Sequence, residues 1–205
     1  MTLEAQGIGF GYPGARPLFE DASLTVGAGE RVALSAPSGA GKTTLCRLLA
    51  GYLRPQRGRV LVDGASLPRT GPRPVQLLWQ HPEQAFDPRM RLASSLAEAG
   101  EVDGEPAREL RERFGVRDAW LSRLPHELSG GELMRSSMVR ALMTEPRYLI
   151  ADEATAMLDA LTQAELWAVL LDLAAQEGMG IVLVSHSPAL VRRVATRVVD
   201  LADLR

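Results

Sequence analysis

Short apolar runs that end in small or charged residues alternate along this chain with segments whose apolar positions recur every three or four residues. Arg31-Val32-Ala33-Leu34, Val75-Gln76-Leu77-Leu78-Trp79, Tyr148-Leu149-Ile150-Ala151 and Gly180-Ile181-Val182-Leu183-Val184 show almost no polar alternation. That is the pattern of strands buried on both faces. Residues 197–201 read as a further strand, whereas Leu45-Cys46-Arg47-Leu48-Leu49-Ala50, the segment opening at Ser129 and residues 160–175 have helical spacing. Residues 36–80 and 146–201 therefore alternate helix and strand, which predicts a parallel sheet flanked by helices. Residues 1 to about 35 read as strands joined by Gly/Pro turns. Residues 87–125 are charged and helix-patterned, and Arg108, Glu109, Arg111, Glu112 and Arg113 alternate in sign as a solvated face does. No repeat or low-complexity tract breaks this order, so the expectation is one α/β domain over residues 1–205.

Two adjacent glycines opening a helical pattern need a reason, because Gly costs about 1 kcal/mol relative to Ala in a helical turn. In Leu128-Ser129-Gly130-Gly131-Glu132, Ser129 and Glu132 form a capping-box pattern. Gly130 and Gly131 then leave backbone amides open to an anion such as a phosphate on the helix N-terminus. Taken alone, these residues fit a plain N-cap with flexible glycines better than an anion site.

Upstream, Ala36-Pro37-Ser38-Gly39-Ala40-Gly41-Lys42-Thr43-Thr44 joins a strand to a helix, the setting of a phosphate-binding loop. Its small residues let successive N–H groups curl around a β-phosphate, Lys42 reaches the β- and γ-oxygens, and Thr43 offers a hydroxyl to Mg²⁺. The strict G-x-x-x-x-G-K-[ST] pattern fails at its first position, where Ala36 stands; a positive φ there would cost roughly 1 kcal/mol or more. Further on, the apolar run from Arg147 ends in Asp152-Glu153, two carboxylates at the edge where a parallel strand meets a ligand. Asp152 is placed to hold Mg²⁺ through water, and Glu153 to orient and polarise an attacking water.

In this order and spacing the chain resembles the ATP-binding cassette (ABC) ATPases over essentially its whole length. Leu128 to Glu132 is similar to that family's signature sequence, Ala36 to Thr44 to its Walker A loop, and Tyr148 to Glu153 to its Walker B strand with catalytic glutamate. The resemblance implies ATP and Mg²⁺ as ligands, with Gln80 as the Q-loop glutamine that contacts Mg²⁺ and His186 as the switch histidine that hydrogen-bonds the γ-phosphate. It makes Tyr12 the aromatic that stacks on adenine, with Phe10 as the competing candidate, and Ala156-Met157-Leu158-Asp159 the D-loop; Asp159 also fits an N-cap for the helix that follows. It further implies a P-loop NTPase fold with an N-terminal antiparallel β-subdomain and a helical subdomain over about residues 87–145. The loop near residues 80–88 would receive a coupling helix from an integral membrane permease. Two cassettes would meet head to tail, so that Ser129, Gly130 and Gly131 of one complete the site built by Lys42, Thr43, Gln80, Asp152, Glu153 and His186 of the other. Departures from the family pattern are Ala36, Glu132 where glutamine is commonest, Ala154 where proline is usual and Ser187 where aspartate is frequent; none removes a group that performs chemistry. Leu158 to Leu166 after the Walker B strand most resembles importers of peptides, nickel or metal chelates.

Composition narrows the alternatives. The 205 residues are 46% hydrophobic and 23% charged with a formal net charge of -2, so no polybasic surface points to nucleic acid. The single cysteine, Cys46, has no internal partner and fits a small buried hydrophobe in a reducing compartment. Met1 to Gly7 lacks a signal-peptide pattern, and the longest apolar helix-like run, residues 166–175, is interrupted by Asp172 and far shorter than a membrane span. Membrane association is thus expected through a partner, on the cytoplasmic face. Four residues follow the last strand pattern, which predicts no regulatory C-terminal domain. The alternative is a soluble ATPase of the same fold in an enzyme, nucleic-acid or ribosome complex; a small-molecule kinase would share the phosphate loop but not the signature or the switch histidine.

Overall fold

In a computed structural model that describes residues 1–204, nine strands form two sheets. They are β1 (Thr2–Phe10), β2 (Phe19–Gly27), β3 (Arg31–Ser35), β4 (Arg57–Val62), β5 (Ala65–Ser66), β6 (Val75–Leu78), β7 (Tyr148–Asp152), β8 (Gly180–Val184) and β9 (Arg197–Asp200). One sheet is parallel in the order β6-β7-β8-β3-β9; the other is antiparallel in the order β2-β1-β4-β5. The sequence pattern assigned residues 36–80 to the parallel layer, and the structure corrects this for β4 and β5. Asp63 and Gly64, both at positive φ, close a two-residue hairpin in which Val62 faces Ala65. An Asp-Gly pair is well suited to such a turn, and a two-residue loop can only join antiparallel strands.

Among the described residues, seven α-helices cover the parallel sheet and its flank: α1 (Lys42–Leu49), α2 (Leu92–Ala97), α3 (Glu105–Phe114), α4 (Asp118–Leu121), α5 (Gly130–Leu142), α6 (Ala160–Glu177) and α7 (Pro188–Val194). Every residue of β7 and β8 is buried. Their side chains alternate between two cores as strand geometry requires. Tyr148, Ile150, Val182 and Val184 pack with Leu45, Leu48 and Leu49 of α1 beneath the antiparallel sheet. Leu149, Ala151, Ile181 and Leu183 face Met138 of α5 and Leu166, Trp167 and Leu170 of α6. Truncating a side chain such as Ile150 to Ala removes packing worth about 2–5 kcal/mol. Among the described residues, no helix is long and apolar enough to cross a membrane.

This arrangement places the site. Strands β6, β7, β8 and β3 are neighbours running the same way, so the loops after their C-terminal ends open on one edge. Those loops carry Gln80, Asp152-Glu153, His186 and the phosphate loop.

Candidate active site

Between β3 and α1 the chain turns through Gly39 (φ 78) and Gly41 (φ 104), the latter serving as N-cap of α1. A Cβ on Gly41 would also come within 3.1 Å of the Phe19 ring, so both backbone angle and space require glycine there. Ala36, by contrast, does not carry the expected strain. Among the described residues only Asp63, Glu145 and Glu153 are non-glycine residues at positive φ, so alanine serves at the first loop position. Lys42 is 8% exposed, and its Nζ donates to the carbonyls of Ala36 (2.8 Å) and Pro37 (3.1 Å). The loop thus holds its ammonium against its own backbone, where an incoming phosphate can exchange for carbonyl oxygens.

At the end of β7, Asp152 is 5% exposed, and its Oδ1 is buried without a hydrogen-bond partner. Burial raises its pKa above the ordinary aspartate value; the hydrogen-bonding Thr43 side chain pulls it down and neighbouring Glu153 pushes it up. A buried carboxylate with one oxygen unsatisfied beside a hydroxyl is suited to a cation. Thr43, Asp152 and the amide oxygen of Gln80 offer only oxygen, as Mg²⁺ prefers. Among the described residues no three His, Cys, Asp or Glu side chains cluster as a cation cage.

Glu153 sits at φ 52, a conformation that costs an L-residue about 1–2 kcal/mol. That backbone turns its side chain out of the strand and between two neighbours. Gln80 Nε2 donates to Glu153 Oε2 at 3.3 Å, and His186 Nε2 lies 3.0 Å from Glu153 Oε1. Three residues from three different loops, separated by 73 and 33 positions in sequence, meet at one carboxylate. Ser187 caps α7 through Leu190 N, with Pro188 in the first turn as expected, and this fixes the loop that carries His186.

A cleft of about 390 Å³ runs from Tyr12 and Leu18 over Ser38, Gly39, Gly41, Lys42, Thr43 and Thr44 to Glu153 and His186. Tyr12 is 43% exposed, its hydroxyl 3.3 Å from Thr44 Oγ1 and its ring edge-on to Phe10. Phe10 itself is buried in the core, which leaves Tyr12 as the aromatic at the mouth. Leu18 lines the same cleft, and no pattern in the sequence distinguished it from other loop apolars. Ala40 forms the loop turn, donating its N–H to Pro37 O at 3.2 Å.

The second glycine pair lies elsewhere. Ser129, Gly130 and Gly131 do not line the cleft and sit at the exposed N-terminus of α5. The capping box is formed: Ser129 Oγ accepts from Glu132 N at 3.3 Å, and Glu132 Oε2 from Ser129 N at 2.8 Å. The bond from Ser129 N holds the Glu132 carboxyl below its ordinary range. A Cβ at Gly130 would meet nothing within 4 Å, and one at Gly131 only Leu158 Cδ2 at 3.6 Å, so the packing of this chain does not call for either glycine.

Taken together, the parallel sheet, the loop around Lys42 and the carboxylates at the end of β7 define a P-loop nucleotide-binding protein. The sequence profile of the ABC transporter family matches residues 19–156, and the chain belongs to that family. Over 194 residues it is 35% identical to a probable peptide ABC transporter ATP-binding protein of Sinorhizobium fredii, covering 87% of this chain and 55% of that protein. It spans 51–58% of the length of this and four further import relatives. It is 36% identical to the thiamine import ATP-binding protein ThiQ of Escherichia coli (89% and 82% covered) and 31% identical to the nickel import system ATP-binding protein NikE of Staphylococcus aureus (98% and 87%). Among solved structures, the ATP-binding subunit of an ABC transporter superposes with a TM-score of 0.84 at 29% identity over 98% of this chain and 85% of that one. A dimeric cassette bound to ADP and Pi shares the fold with a TM-score of 0.82 at 22% identity (97% and 93%).

Proposed function

We propose that this chain is the ATP-binding and ATP-hydrolysing subunit of a solute importer. The observation that carries this reading is the meeting of Gln80 and His186 on Glu153 at the end of the cleft that Lys42 opens into. Tyr12 stacks on the adenine, while the amides of residues 38–44 and Lys42 hold the β- and γ-phosphates. Thr43, Gln80 and Asp152 would hold Mg²⁺, which when bound neutralises charge on those phosphates. Glu153 orients and polarises the attacking water, and His186 hydrogen-bonds the γ-phosphate. Gln80 and His186 each engage one carboxylate oxygen of Glu153, which orients the carboxylate and leaves each oxygen a further lone pair for the water.

A single chain leaves its signature unused. The amides of Gly130 and Gly131 at the start of α5, where packing within the chain does not call for glycine, would grip the γ-phosphate held by a second cassette. ATP closes the pair and hydrolysis reopens it. The coupling partner is a membrane permease that docks near residues 80–88 and holds the chain at the cytoplasmic face. Relatives named for peptide and nickel import support the solute class of peptides, nickel or metal chelates. The test is to recover a tagged Glu153→Gln chain from detergent-solubilised membranes. Co-purification of an integral permease is expected; recovery only from the soluble fraction with enzymes or ribosomes would contradict the transport role.

A further inference from the structure

Beside the nucleotide cleft lies a second cavity of about 350 Å³, and Glu153 and His186 form the wall between the two. Residues 153–156 run along this cavity, so on that side the strained turn at Glu153 has space rather than packed atoms to hold it. Hydrogen bonds take over. Glu153 N donates to Val184 O and Ala156 N to Glu153 O, both at 3.0 Å. The strongest anchor is Thr155, 3% exposed. Its Oγ1 accepts from Trp167 Nε1 (3.0 Å) and Gln163 Nε2 (3.0 Å), and the same Gln163 amide reaches Thr155 O at 2.9 Å. Gln163 and Trp167 are four residues apart on α6 and present one face to the loop. Trp167 is 1% exposed, a core residue whose position is fixed by packing.

We propose that Thr155, Gln163 and Trp167 form a positioning clamp for Glu153, which fastens the turn to α6 and holds the carboxylate at the distance water attack needs. The proposal rests on the reading of Glu153 as the residue that orients water. Ala154 is buried in the core but carries no ring to restrict the backbone between the strained residue and the clamp, so the hydrogen bonds to α6 add rigidity that its small side chain does not supply. None of the three clamp residues touches the reacting atoms. Their effect is on the position of one that does, and a shift of about 1 Å in such a group can cost on the order of 100-fold in rate.

The test compares Thr155→Val, which keeps the shape and removes the hydroxyl, with Thr155→Ser, which keeps the hydroxyl. Steady-state hydrolysis of Mg·ATP by the purified chain, in whatever assembly supports its turnover, gives kcat and KM. Thr155→Val is expected to lower kcat by about 10- to 100-fold with KM for ATP within about twofold, and Thr155→Ser to recover most of the loss. Trp167→Phe keeps the core filled, removes one donor and is expected to give a smaller fall in kcat of the same kind, which preserves the test if Thr155→Val folds poorly. A cycle with Glu153→Gln separates positioning from general destabilisation: if Thr155 acts through Glu153, Thr155→Val lowers the residual rate of Glu153→Gln no further. Wild-type kcat in Thr155→Val, an unrescued loss in Thr155→Ser, or an equal factor lost in both backgrounds would overturn the clamp. Wild-type turnover in Glu153→Gln alone would instead overturn the role of Glu153 itself.

Discussion

Burial makes Asp152 a costly residue for the fold and a useful one for a cation. An aspartate whose folded pKa lies above its unfolded value favours folding most below the ordinary value of 3.8, and that contribution is lost as pH rises through the raised folded value. At neutral pH the buried carboxylate therefore works against the nucleotide-free fold. Asp152→Asn is expected to raise the thermal midpoint by about 2–4 °C at pH 7–8, the shift produced by roughly 1 kcal/mol in a chain of this size. The gain should shrink towards pH 4, and Mg²⁺-dependent hydrolysis should be lost; calorimetry across pH in the absence of nucleotide reads the first effect. At the other end of the cleft, Tyr12→Ala is expected to weaken ATP binding by about 1–3 kcal/mol, the usual worth of base stacking on an aromatic ring, while Tyr12→Phe retains it. Fluorescence titration with an ATP analogue gives both affinities. Lys42, Thr43, Asp152 and Glu153 could be singled out in the sequence because the chemistry proposed for them demands particular residues at fixed spacing. The strained φ of Glu153 and the clamp on Thr155 were not, since the first is a backbone property and the second joins residues 8 and 12 positions apart through a helix face.

At the scale of elements, what could be read was the type of the buried strands and of the longer helices; what could not was the hairpin of β4 and β5 or the sheet it would join. The strands β3, β6, β7 and β8 announce themselves as apolar runs because both faces are covered. The strand β4 buries only its last three residues, and its membership of the antiparallel sheet is decided by the Asp63-Gly64 hairpin and by Leu3 facing Val62 across the pairing with β1. The start of α5 was set by Ser129 and Glu132, and that of α6 by Asp159, whose Oδ1 accepts from Leu161 N and Thr162 N. Helix α5 also supplies a prediction with two signs. Gly131 lies in the first helical turn, with only an ordinary contact to Leu158 awaiting a Cβ. Gly131→Ala is expected to stabilise the isolated chain, by up to about 1 kcal/mol, and to abolish nucleotide-driven pairing because the methyl group occupies the face offered to a second cassette. Denaturant melts and sedimentation in Mg·ATP read the two effects separately.

For the whole molecule, one chain assembles nearly everything that ATP chemistry needs on a single sheet edge, yet holds its signature helix start outside that cleft. Strand topology explains the first fact: four parallel neighbours deliver four loops to one place. The second bears on the proposed pairing: Gly130 is exposed and Gly131 half-buried at the start of α5, and under that proposal a second cassette completes their amides. The most direct measurement is the sedimentation mass of the Glu153→Gln chain with and without saturating Mg·ATP, alongside a binding assay on the same sample. A monomer without nucleotide and a doubled mass with it, returned to monomer by adding Gly131→Ala while ATP stays bound, is the predicted result. A chain that remains monomeric with ATP saturating its cleft, or that pairs regardless of nucleotide, would contradict the shared site.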